Sequence, residues 1–167
     1  MAFEHLVRQG HERIAFVGDP LHLYTAHERL AGYRVALTEA GIAADDDLVR
    51  AGSHDTASAE RAVHDLLARP ADQRPTALFT ANNRNTVGAV RAMSDREDPV
   101  ALVGFDDFEL ADVLAVPVTV VRHDPAEMGR LGAELAYARL AGEDGLPERH
   151  TIGCELVARG SGEVGPR

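Results

Sequence analysis

The sequence has no lysine and no tryptophan, one cysteine, and no long apolar run. Each absence excludes something. All 17 basic residues are arginine, scattered singly against 27 acidic residues for a formal charge of -10. A nucleic-acid surface needs a clustered positive stripe to displace counterions from phosphates, so this segment is not expected to touch DNA. Cys154 cannot close an internal disulfide and reads as a small buried side chain in a strand-like stretch. No apolar run approaches the roughly 18 residues of a membrane span, and Met1 to His5 lacks the basic start and apolar centre of a signal peptide. The expectation is a cytoplasmic protein with no membrane partner. The sequence also lacks GxGxxG after its first apolar run, a P-loop, HExxH and any Cys/His ligand spacing, so no cofactor or metal is expected. Gly160-Ser161-Gly162 is not a nucleophile elbow, because the GxSxG spacing is missing.

What remains is a chain of 167 residues, 45% hydrophobic and 26% charged, long enough to bury roughly 70% of its unfolded surface in one core. Its organising stretch runs from Pro99 to Asp124. A short apolar strand, Val100 to Val103, breaks into Gly104-Phe105-Asp106-Asp107 and a helical turn; a second strand, Val118 to Val121, leads to Arg122-His123-Asp124. In open parallel sheets ligands bind outside the carboxyl ends of strands, so a carboxylate just past a buried strand is a candidate contact.

The same arrangement recurs upstream. A helix over Ala2 to Gln9 is followed by the apolar run Ile14 to Val17, ended by Gly18-Asp19-Pro20. Leu30, Tyr33, Leu37 and Ala40 recur at helical spacing, predicting a helix over about Thr25 to Ala40. Leu48 to Gly52 reads as a second strand, then a helix follows with Asp55 or Thr56 as its cap and Ala59, Ala62, Val63, Leu66 and Leu67 on its inner face. Strand three is Thr76 to Phe79, with Asn82 placed to cap a helix from Asn85 to Met93. A last helix spans about Pro125 to Leu140, and Thr151 to Ala158 is β-like. Such alternation predicts an α/β fold: a doubly wound, mostly parallel sheet in the flavodoxin-like order 2-1-3-4-5.

That order brings Arg29, His54, Asn82, Asp106 and His123 to one rim. Singly, each has an ordinary reading: a solvated arginine, a surface histidine, helix caps. Together, with Phe105 or Tyr24 as a flat apolar surface, they offer donors, acceptors and a stacking face suited to a small polar ring. A less favoured reading makes Asp106 and His123 an acid/base pair of an enzyme.

Several stretches together resemble the LacI/GalR family of bacterial transcription regulators. They are His5-Leu6-Val7 through Gly10-His11-Glu12-Arg13-Ile14-Ala15-Phe16-Val17, Arg29-Leu30-Ala31-Gly32-Tyr33 to Leu37, Pro75 to Asn82, Val103-Gly104-Phe105-Asp106-Asp107, Val118 to Arg122, and Leu156-Val157-Ala158-Arg159-Gly160-Ser161. The resemblance implies one lobe of a type I periplasmic-binding-protein-like fold and an effector-binding, non-enzymatic function for a sugar or sugar-like metabolite. It places Arg29, Asn82 and Asp106 on effector-bonding positions, His123 beside them, and His54 on a position often filled by a ring. Asn83 stands where an aspartate is common in the family. The resemblance further implies that residues 1–123 form the C-terminal lobe and that 124–147 carry a helix of the other lobe. It assigns 148–161 to a final strand and return segment, and 162–167 to a tail. The DNA-binding helix-turn-helix and most of the first lobe fall outside this sequence, so operator DNA would be a partner only through that N-terminal domain. The apolar side of the last helix, with Met128, Leu131 and Leu135, is expected to seek a homodimer partner. A stand-alone sugar-binding protein of the same fold is the alternative.

Overall fold

The computed structural model describes residues 1–143, 145–146 and 148–166. The elements run α1 (Ala2–Arg8), β1 (Ile14–Gly18), α2 (Tyr24–Glu39), β2 (Val49–Ala51), α3 (Thr56–Leu67), β3 (Ala77–Thr80), α4 (Asn83–Met93), β4 (Ala101–Phe105), β5 (Thr119–His123), α5 (Pro125–Leu140) and β6 (Cys154–Val157). They build a six-stranded sheet in the order β2-β1-β3-β4-β5-β6. The first five strands are parallel in the expected order, and β6 joins antiparallel on the outer side of β5.

The central strands are short and apolar because both of their faces are covered. Strand residues alternate between faces, and the two cores follow that alternation. Phe16, Phe79 and Val103 lie in register across β1, β3 and β4 and pack with Phe3, Leu6, Tyr33 and Leu37 of α1 and α2. Val17, Leu78 and Leu102 pack on the opposite face with Val63, Leu66 and Ala89 of α3 and α4. The Tyr33 hydroxyl donates to the Ile14 carbonyl at 2.9 Å inside the first core, and burial pushes its pKa up to about 12. Where α3 crosses α4, Gly88 allows backbone approach: a Cβ there would lie 2.6 Å from the Thr56 carbonyl oxygen and 2.7 Å from Ala59 Cβ.

Local caps set several boundaries. Asp55 accepts from the Ser58 amide at 2.7 Å in a reciprocal capping box, and Asp124 accepts from the amides of Ala126 and Glu127 ahead of Pro125. Three local expectations are corrected. Leu48 closes one turn of 3-10 helix rather than opening β2, because Asp45 caps that turn through the Asp47 amide. Ala40 is the exposed C-terminal cap of α2 and not part of its inner face. Beyond Phe105 the chain makes hydrogen-bonded turns around Phe108 to Val113 instead of a helix, since Asp107 is held by a distant arginine.

The segment after β6 is bound into the body. The Ser161 hydroxyl donates to the Leu102 carbonyl at 2.6 Å and accepts from the Thr119 amide at 2.9 Å. Glu163 accepts from the Thr119 hydroxyl and the Gly160 amide, and the Val164 carbonyl lies 2.7 Å from Nε2 of buried His11. By contrast, none of the residues of α5 is buried. Among the described residues, no helix is long and apolar enough to cross a membrane.

Candidate functional site

The carboxyl ends of β1, β3, β4 and β5 lie side by side, and each delivers a polar residue to one rim. At the end of β4, Asp106 has φ +68°, the one non-glycine residue with positive φ among those described. Aspartate tolerates this left-handed conformation better than most residues, and strain of this kind collects at functional sites. The Asp106 amide still donates to the Val121 carbonyl at 2.9 Å, so the strand pairing survives while the side chain is turned to the rim.

Arg29, from the second turn of α2, donates through Nη1 to the Ala81 carbonyl after β3. Its Nη2 lies 3.7 Å from Asp106 Oδ1, and its Cζ sits 4.0 Å from the centroid of the Phe105 ring. That contact is a cation–π interaction, with the guanidinium carbon over the aromatic ring. His123, at the end of β5, brings Nδ1 to 3.4 Å from the same Asp106 oxygen. Asp106 therefore stands between two groups able to carry positive charge, and the three side chains are 19% to 24% exposed. This is an open rim rather than an enclosed cavity. A hollow of about 640 Å³ adjoins it on the β5 side, lined by Asp107, Arg122, His123, Asp124 and Cys154 among others; it shares only His123 with the cluster.

Asn82 is both a cap and a site residue. Its Oδ1 accepts from the Asn85 amide at 2.9 Å, closing the first turn of α4, while Nδ2 donates to Asp19 Oδ2 at 2.6 Å. Asp19 was not among the sequence candidates, although it follows buried β1 as Asp106 follows β4, and the same rule would have found it. The structure thus brings together Arg29, Asn82, Phe105, Asp106 and His123 and adds Asp19. It does not bring in His54. That ring stands at the end of β2, 71% exposed, 3.6 Å from its neighbour Asp55 and 3.4 Å from the Gly52 carbonyl. Tyr24 is also largely exposed.

Asp107, beside Asp106, faces elsewhere. Hydrogen bonds from Arg159, with a smaller contribution from the Phe108 amide, hold its carboxyl below the usual range. Among the described residues, no group of three or more His, Cys, Asp or Glu side chains converges as metal ligands do. The rim can accept and donate hydrogen bonds to a polar molecule, with the Phe105 ring lying against the Arg29 guanidinium.

Residues 3–162 match the periplasmic binding protein-like domain family, and the chain belongs to that family. Its relatives are LacI/GalR-type transcription regulators. It is 32% identical to the ribose operon repressor of Escherichia coli K12 over 96% of this chain and 49% of that protein. It is 36% identical to the HTH-type transcriptional regulator CelR of Thermobifida fusca, over 96% of this chain and 48% of the relative. A solved complex of the regulator CelR with cellobiose superposes with a TM-score of 0.86 at 36% identity, covering 95% of this chain and 49% of that one. The chain spans about half the length of the curated relatives it matches.

Proposed function

We propose that this chain is the effector-binding region of a LacI/GalR-type DNA-binding transcription regulator, acting in the cytoplasm. Its rim forms one wall of a cleft for a sugar or sugar-like metabolite. One observation carries the reading: Asp106, held at positive φ, stands between His123 and Arg29, and Arg29 lies over the Phe105 ring. Arg29 and His123 stand beside the carboxylate, and Phe105 backs the Arg29 guanidinium, so that the three polar side chains meet the ligand together. Similarity to a regulator solved with cellobiose supports the ligand class.

The site binds without turning its ligand over, as its relatives are regulators. Residues 1–123 make one lobe, α5 belongs to the other, and operator DNA is met through an N-terminal domain. Effector binding between the lobes shifts the balance of DNA-competent and DNA-incompetent states by its difference in affinity for them. The apolar side of α5, including Met128 and Leu135, takes a symmetric partner in this chain.

The test is a thermal-shift and calorimetric screen of the chain against sugars, sugar phosphates, nucleosides and purines, with Asp106→Ala alongside. Ligand stabilisation follows RT ln(1 + [L]/Kd), so weak binders register at high concentration. Loss of about 1–3 kcal/mol of binding in the variant is expected for a charge-assisted hydrogen bond. Unchanged affinity removes Asp106 from the site, and conversion of a bound sugar to product overturns the non-enzymatic reading.

A further inference from the structure

The rim holds two carboxylate oxygens in the same condition. Asp19 Oδ1 and Asp106 Oδ1 are both buried, and neither has a hydrogen-bond partner among the described residues. Asp106 Oδ1 has nitrogen neighbours at 3.4 Å, His123 Nδ1, and 3.7 Å, Arg29 Nη2, but in neither case a hydrogen bond. Asp19 is locked by its other oxygen, which accepts from Asn82 Nδ2 at 2.6 Å. Asn82 is in turn locked by its capping bond to the Asn85 amide. Asp19 is therefore a fixed acceptor on a rigid support, at the end of the strand next to the one carrying Asn82.

An ionised carboxylate accepts hydrogen bonds and donates none, so these two oxygens are completed by donors. The rim's own permanent cation does not supply them. Arg29 spends Nη1 on the Ala81 carbonyl and lies over Phe105. Two carboxylates against one guanidinium leave the rim negative while His123 is neutral.

Resting on the effector-binding reading above, we infer that Asp19 is a ligand-contacting residue which, with Asp106, restricts the site to neutral polyhydroxy ligands and rejects their phosphorylated forms. Sugar hydroxyls donate to both orphan oxygens. A phosphate group is itself an acceptor carrying negative charge, and in this rim it meets two carboxylates against a single guanidinium. Asp19 sets specificity, whereas Asp106 serves binding of any sugar.

The test pairs neutral probes with their phosphorylated counterparts. Glucose, ribose and cellobiose are titrated into the chain by calorimetry and thermal shift, against glucose 6-phosphate, ribose 5-phosphate and inorganic phosphate. The variant is Asp19→Asn. Its amide oxygen still accepts from Asn82, so the support is kept, while the other position changes from acceptor to donor. The expected result is wild-type binding to a neutral sugar at least tenfold tighter than to its phosphate. In Asp19→Asn the neutral sugar weakens about tenfold and the preference over the phosphorylated form narrows or reverses. The wild-type preference tests the ligand class without any variant.

Equal or tighter binding of the phosphorylated probe overturns the inference. So does unchanged neutral-sugar affinity in Asp19→Asn when Asp106→Asn abolishes it, a result that leaves the effector site standing without Asp19. A wild-type chain that answers to none of the probes overturns both this inference and the binding reading it rests on.

Discussion

The guanidinium of Arg159 closes two parallel hydrogen bonds on the carboxylate of Asp107, Nη1 to Oδ1 and Nη2 to Oδ2, each 2.7 Å long. Arg159 stands just after β6 and Asp107 just after β4, so the pair ties the closing segment to the loop that carries Asp106. The adjacent aspartates divide the work: Asp107 anchors the turn, and Asp106 is presented to the rim.

Arg159→Ala is expected to destabilise the chain by about 1–3 kcal/mol, discounted for the partial exposure of both groups. Denaturant melts measure this. Because the Asp106 turn is loosened as well, effector affinity falls with stability, which a calorimetric titration on the folded variant checks. Asp107 has its carboxyl held below the unfolded value, so its contribution is present above pH 3.8 and is lost as pH falls below it.

His11 sets a second pH dependence. It is 1% exposed, with Nδ1 2.9 Å from the Thr76 hydroxyl and Nε2 2.7 Å from the Val164 carbonyl. Burial lowers its pKa from 6.5, outweighing the Val164 carbonyl, which raises it. The unfolded chain then binds a proton that the folded chain resists. Stability from this group is complete above pH 6.5 and declines as pH falls through the lowered folded value. Melting temperatures recorded from pH 8 to pH 5 are expected to drop, and His11→Asn is expected to flatten that drop; an unchanged slope would remove His11 as its cause.

Two glycines give opposite expectations for the same substitution. Gly88→Ala forces a Cβ against the backbone of α3, and overpacking of this kind costs about 1–3 kcal/mol. Gly129→Ala meets nothing within 4 Å on α5 and is expected to stabilise that helix by about 0.5–1 kcal/mol. Thermal melts of the two variants side by side separate crowding from helix propensity.

The outer helix makes an oligomerisation test. Met128 is 48% and Leu135 42% exposed on α5, and Tyr137 and Leu140 more so. Light scattering is expected to give a dimer at tens of micromolar, and Leu135→Glu to give a monomer. A monomeric parent chain at that concentration would refute a symmetric contact through α5.

Local chemistry in the chain determined the order of elements and most of their ends. Phe16 to Val17, Leu78 to Phe79 and Leu102 to Val103 read as buried strands because runs of apolar residues cannot be satisfied on a surface, and Asp55 and Asn82 announced helix starts because their side chains reach amides two or three residues on. Asn82, Asp106 and His123 were legible through the rule that polar groups following buried strands gather at the carboxyl rim, whereas Arg29 sits on α2. Tertiary structure alone decided what they do to one another. Asn82 meets Asp19 across 63 residues, and Arg29 reaches both Ala81 and Asp106 because parallel pairing sets the ends of β1, β3 and β4 side by side. The positive φ of Asp106, the exclusion of His54 from the cluster, the antiparallel β6 and the capture of Asp107 by Arg159 likewise depend on contacts between distant segments. A sequence pattern encodes which face of an element is apolar, but the distance between two polar side chains on different strands exists only once the sheet has its register.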